Sequence, residues 1–286
     1  MAAPATRKVN GDGVKIQLAV WEGKGRDILC IHGLTANCRC WDGLAAVLAP
    51  RHRVLAFDLR GRGLSDKPSS GYSVETHCRD VKAILDGLGL NQAVLIGHSL
   101  GAFIALAFAA QNPERVSQMI LMDGGGKLSP QQTGKILAMI KPSLDRLGQV
   151  FPSFESYLET MKKIPFLQPW SPVLETYFRH EVEEVEEGVR PRIQAGHIQE
   201  EVVNLSRMDA AQFYPKVQCP VLILRATEGI LAKDDILLPG DVAQRMIREM
   251  PGATSFDVEG ANHYSILFQS FLRRDRAILE FMDRER

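Results

Sequence analysis

Short apolar runs alternate with longer amphipathic ones along most of the chain. Residues 14–21 alternate in polarity and predict a strand, antiparallel and near a sheet edge. Residues 28–31, ending at His32-Gly33, and 53–57, ending at Asp58, predict buried strands. Residues 74–88 repeat at helical period, with Ser73 placed as N-cap and Gly89 as the stop. A strand over 93–96 breaks at Gly97, and a helix over 100–110 is closed by Pro113. A strand over 116–122 runs into Asp123-Gly124-Gly125-Gly126.

The rhythm then changes. From 127 to 217 no strand is predicted, and helical stretches at 130–147, 154–163, 173–187 and 191–207 are separated by prolines. Alternation resumes with a strand at 221–224, a helix at 241–249, a strand at 254–258 and a helix at 265–284. Strands alternating with helices predict an α/β fold with a mostly parallel sheet covered on both faces. Residues 1–126 and 218–286 are expected to form its core. Residues 127–217 are expected to form a helical cap over the carboxyl ends of the strands, where open α/β sheets place ligand sites.

Composition narrows the classes. Lys+Arg and Asp+Glu are both 34, a formal charge of zero, which argues against nucleic acid and membrane surfaces as partners. The longest apolar stretch, 100–110, is about half a membrane span, and the first ten residues carry no apolar leader pattern. Five cysteines without framework spacing fit reduced thiols, and a cytoplasmic location is expected. No metal-ligand spacing stands out, and no metal or cofactor is expected.

Gly97-His98-Ser99-Leu100-Gly101 follows a predicted strand and opens a predicted helix. That is the setting of a nucleophile elbow, where a sharp strand-to-helix turn lifts a serine hydroxyl from the surface. The helix N-terminus beneath it offers N–H groups and a positive dipole end to an oxyanion. Leu34, in the loop His32-Gly33-Leu34-Thr35, is expected to supply a second main-chain donor beside that of Leu100. His263, in Gly260-Ala261-Asn262-His263-Tyr264, follows the last strand and is the expected base. His98 is expected to pack, His32 to shape its loop, and His52, His77, His180 and His197 to lie in surface helices or turns. Asp58 and Arg60 are expected to tie loops together. The aromatics of 151–178 are divided between a substrate lining and a core of the cap, and the acidic run from Glu181 to Glu187 is expected to be a solvated helix face.

These motifs, with Asp58-Leu59-Arg60-Gly61-Arg62-Gly63-Leu64-Ser65, resemble the α/β-hydrolase fold family, in particular serine carboxylesterase-like members with a helical cap. The resemblance implies an eight-stranded, mostly parallel sheet and a Ser–His–acid triad of Ser99, His263 and an acid. Many members carry that acid just after the seventh strand, where this chain has Gly229. Asp123, at the end of the sixth strand, is the first choice, with Asp235 and Glu228 as alternatives. The expected activity is hydrolysis of small, mostly apolar carboxylic esters through an acyl-enzyme. A lactone, amide or carbon–carbon bond hydrolase, a cofactor-free dioxygenase and a hydrolase-like ligand receptor are the alternatives on the same fold.

Overall fold

The computed structural model describes residues 3–127, 129, 132, 134, 141, 143–232 and 235–284. Eight strands form one sheet in the order β1-β2-β4-β3-β5-β6-β9-β10. They are β1 (Ala5–Asn10), β2 (Lys15–Trp21), β3 (Asp27–Ile31), β4 (Arg53–Phe57), β5 (Ala93–His98), β6 (Val116–Met122), β9 (Val221–Ala226) and β10 (Ala253–Val258). β1 and β2 are antiparallel to each other, β2 is antiparallel to β4, and the other neighbours are parallel. β1 escapes the hydrophobic pattern because its side chains are almost all exposed.

Pleating assigns alternate residues of the central strands to opposite cores. Leu29, Leu55, Leu95, Leu121 and Ile223 enter one core with α2 (Val74–Gly87), α3 (Leu100–Gln111) and α7 (Gly240–Glu249). Ile28, Val54, Val94, Ile120 and Leu222 enter the other with α1 (Asp42–Leu48). The predicted terminal helix is two helices, α8 (Ser265–Phe268) and α9 (Leu272–Met282), because the chain is extended at Gln269.

The register aligns the strand ends. Ile31 pairs with Phe57 and Gly97, and Met122 pairs with His98 and Leu224. His32, Asp58, Ser99 and Asp123 each follow one of these strands directly, so all four lie along one edge of the sheet.

Between β6 and β9 the described residues carry α4 (Phe154–Lys162), α5 (Pro172–Glu181), a hairpin of β7 (Val182–Val185) and β8 (Gly188–Pro191), and α6 (Ala195–Ser206). α5 takes up most of the helix expected over 173–187, the hairpin corrects its end from Val182 on, and β8 with the bend after it delays the helix expected from 191. Val182 and Val189 are buried, Glu183 and Gly188 are half-buried, and Glu184 and Arg190 are exposed. Gly188, at φ +136°, turns the hairpin against the Phe151 carbonyl, where a Cβ would clash. The helix expected over 130–147 lies largely outside the described residues; 143–145 within it are helical. Phe154, Tyr157, Phe166, Tyr177 and Phe178 pack into the second core, which they share with the sheet, and Phe166 stacks on Tyr264 while Tyr177 meets Phe268 edge-on.

The insertion rests on loops that follow the strands. Asn37 donates from its side chain to the Tyr177 carbonyl, His180 meets Asp58, Glu200 accepts from the Gly71 N–H, and Ser143 bonds Tyr264. Among the described residues no helix is long and apolar enough to cross a membrane.

Candidate active site

Ser99 sits between β5 and α3 at φ +53°, ψ −119°, a backbone state that L-residues rarely adopt. Its N–H extends the ladder to the Met122 carbonyl at 3.1 Å, and its carbonyl accepts from Ala102 at 3.0 Å. The glycines around it allow this turn. A Cβ at Gly97 would fall on the carbonyl of Gly101, and one at Gly101 on the carbonyl of Ile31. Gly33 lies against the serine itself, where a Cβ would stand 3.2 Å from the Ser99 Cβ. The His32-Gly33-Leu34 loop therefore passes beside the Ser99 side chain, and Leu100 begins α3 with a first-turn N–H that has no helical partner.

His263 enters from the loop after β10. Its Nδ1–H donates to Asp123 Oδ2 at 2.7 Å, with both side chains buried. Asp123, at φ +46°, binds the Leu224 carbonyl through its own N–H at 2.8 Å and accepts from the Ala226 N–H at 3.1 Å on Oδ1. Its carboxylate is thereby fixed between the end of β9 and the imidazole. Asn262 shapes the loop, its Oδ1 accepting from the N–H groups of Tyr264 and Ser265. The His98 ring lies tilted by 30° against the His263 ring at 4.4 Å between centroids and donates from Nε2 to the His263 carbonyl at 2.9 Å. Burial first, and the neighbouring His263 second, push the His98 pKa well below 6.5, so this ring stays neutral.

The other two acids stand elsewhere. Asp235 closes its own loop, accepting from the N–H groups of Ile230, Leu231 and Ala232 at 2.6, 2.8 and 3.0 Å. Glu228 is exposed, and its backbone N–H bonds the Ala261 carbonyl at 2.9 Å. Of the three acids open from the sequence, Asp123 is the one bonded to His263.

His32 does shape its loop. Its Nε2 accepts from the Leu59 N–H at 3.0 Å, which leaves Nδ1 to donate to the Gly33 carbonyl at 2.8 Å. Gly33 C=O and Leu34 N–H are the two ends of one peptide plane, so this bond sets the direction of the Leu34 N–H. Burial lowers the His32 pKa to about 4 against the pull of Asp58.

Four polar residues expected at the surface are buried. His77 is fully buried, and His52 and His197 are buried, rather than on the surface. Glu181 is buried rather than solvated, accepting from Arg146 Nε at 3.0 Å and from the Tyr157 hydroxyl at 2.9 Å. The rest of that acidic run lies on the hairpin and its turn. Helical periodicity misses these because each side chain is covered by residues distant in sequence: His77 by Glu201, His197 by the Tyr72 ring, His52 by Arg26 and Glu181 by Arg146.

Asp58 does tie loops together. Its oxygens accept from the N–H groups of Cys38 at 2.7 Å and Leu64 at 2.8 Å, and His180 Nε2 lies 2.8 Å from Oδ2. Burial opposes ionisation of Asp58, but the His180 hydrogen bond, with the Cys38 N–H beside it, holds its pKa below 3.8. Cys38, Asp58 and His180 place one ligand-type atom each within 4.8 Å. Burial, reinforced by Asp58, keeps the Cys38 thiol protonated, and the three close as a hydrogen-bonded latch between α5 and the loop after β4.

A family model described as alpha/beta hydrolase fold matches residues 28–270, and the chain belongs to that family. The 2-(acetamidomethylene)succinate hydrolase of Mesorhizobium japonicum is 29% identical over 256 residues, covering 87% of this chain and 86% of that protein. An uncharacterised protein of Mycobacterium tuberculosis is 42% identical over 104 residues, or 36% of this chain. The match spans 30% of the length of that curated relative. A solved E-2-(acetamidomethylene)succinate hydrolase superposes with a TM-score of 0.84 at 25% identity, covering 98% of this chain and 100% of that one.

Proposed function

We propose that the protein is a serine hydrolase that cleaves small, mostly apolar carboxylic esters through an acyl-enzyme. The observation that carries the reading is the buried His263–Asp123 pair at the sheet edge that presents Ser99 on a strained turn. Ser99 Oγ attacks the carbonyl carbon while His263 Nε2 takes its proton, and Asp123 stabilises the imidazolium through Nδ1–H. The N–H groups of Leu34 and Leu100 receive the oxyanion. Collapse expels the alcohol, protonated by His263, and leaves Ser99 acylated. Water, deprotonated by His263, then releases the acid. Residues 127–217 act as the cap that encloses the substrate. The five cysteines, all buried thiols, support a reducing cytoplasm.

Cleavage of a carbon–nitrogen bond is the second reading, supported by the match to 2-(acetamidomethylene)succinate hydrolase across 87% of this chain. A panel of p-nitrophenyl esters of rising chain length, matched anilides and 2-(acetamidomethylene)succinate tests both. The first reading predicts a burst of nitrophenol and a preference for neutral esters. Preference for the acetamido acid would replace it with the second.

A further inference from the structure

We propose that Arg62 and Glu201 form a positioning relay through which the insertion holds the oxyanion loop in its working geometry. The relay rests on the reading of the Leu34 N–H as an oxyanion donor. Both side chains are wholly enclosed. Arg62 donates from Nε to the Leu34 carbonyl at 3.0 Å, from Nη1 to the Arg60 carbonyl at 3.0 Å and from Nη2 to Glu201 Oε2 at 3.1 Å. Glu201 belongs to α6 of the insertion, and the same oxygen accepts from His77 Nε2 on α2 at 2.7 Å. Burial opposes ionisation of Glu201, but His77 and Arg62 outweigh it and bring its pKa down to about 2.

Two peptide planes flank Leu34. His32 holds the first through the Gly33 carbonyl, and Arg62 holds the second through the Leu34 carbonyl. With both planes held, the Leu34 N–H has one direction. The guanidinium is a planar fork whose donors keep fixed angles, so the place of Glu201 sets the orientation with which Nε meets Leu34. A buried ion pair adds little net stability over an apolar pair of the same shape, and what this one adds is geometry. A seated α6 completes the oxyanion loop, and a displaced one releases it, which links enclosure of the substrate to the chemical step.

Steady-state kinetics on p-nitrophenyl acetate test the relay, together with the Ki of a trifluoromethyl ketone that adds to Ser99 as an oxyanion-bearing hemiketal. The variants are Glu201→Gln, Arg62→Lys, Arg62→Gln and the double Arg62→Gln/Glu201→Gln. Each single variant is expected to lower kcat about tenfold to a hundredfold, with KM within about twofold and ketone affinity falling in parallel with kcat. The double variant is expected to be no slower than Arg62→Gln alone, because both act through one contact. Arg190→Gln, which breaks the exposed Arg190–Glu183 pair on the hairpin, is expected to keep wild-type kcat. Wild-type kcat in Glu201→Gln or Arg62→Lys, whatever their melting temperatures, would overturn the relay. So would a rise in KM at unchanged kcat, which assigns the group to substrate binding. Should Glu201→Gln fail to fold, Arg62→Lys, which keeps the buried charge, carries the test. A wild-type protein that neither hydrolyses the ester nor binds the ketone would remove the serine reading itself, and the relay with it.

Discussion

Asp123 illustrates how a single residue's role depends on its neighbours in space. Its spacing to Ser99 and His263 is no more telling than that of Asp235; Asp123 directly follows the strand predicted over 116–122, whereas Glu228 and Asp235 lie in the segment after the strand predicted over 221–224. What separates them is where β6 and β9 end relative to the loop that carries His263, and that is a tertiary fact. Asp123→Asn is expected to lower kcat by about 10³ or more, through loss of the imidazolium's partner and of the correct tautomer. Asp235→Asn weakens a loop of its own and is expected to leave kcat within about threefold, the two being read in one ester assay. His32 gives a pH prediction. Its folded pKa of about 4 lies below the ordinary 6.5, so the folded state resists a proton that the unfolded chain accepts. Its contribution is complete above pH 6.5 and is lost as pH falls from 6.5 through 4. Between pH 7 and pH 5 the wild type should lose about 2 kcal/mol more of its urea-unfolding free energy than His32→Gln does.

At the scale of elements, the central strands and the elbow were legible because their signals are local. An apolar run bounded by glycines needs no partner to be recognised, and β3, β5, β6, β9 and α3 fall where the pattern placed them. β1 and the β7–β8 hairpin were not legible. The first carries no buried face, and the second has acidic residues at positions that a helical pattern also accepts. The split between α8 and α9 was hidden because both halves continue one periodicity, whereas the Arg274 side chain captures the Gln269 carbonyl at the break. The elbow makes its own prediction. Gly101→Ala places a methyl group against the main chain of Ile31, where no side-chain rotation relieves it. The variant is expected to lose at least ~3 kcal/mol or fail to fold, as read by circular dichroism on heating.

Across the whole molecule, polar contacts join the insertion to loops at the sheet's carboxyl edge: His180 to Asp58, Glu201 to Arg62, and Asn37 to Tyr177. The sequence marked the insertion by its change of rhythm, but these contacts join residues more than a hundred positions apart and leave no local trace. His180→Ala cuts the latch while Asp58 keeps its two main-chain donors. Hydrogen exchange is expected to quicken in Pro172–Glu181, by about 1–2 kcal/mol of opening free energy, with β5 and α3 unchanged. Ser99 is the proposed nucleophile at this edge. Treatment with a fluorophosphonate and peptide mass spectrometry is the direct test. It should yield one adduct per chain, on Ser99, formed far more slowly in Asp123→Asn. An adduct on another residue, or full ester hydrolysis by Ser99→Ala, would contradict it.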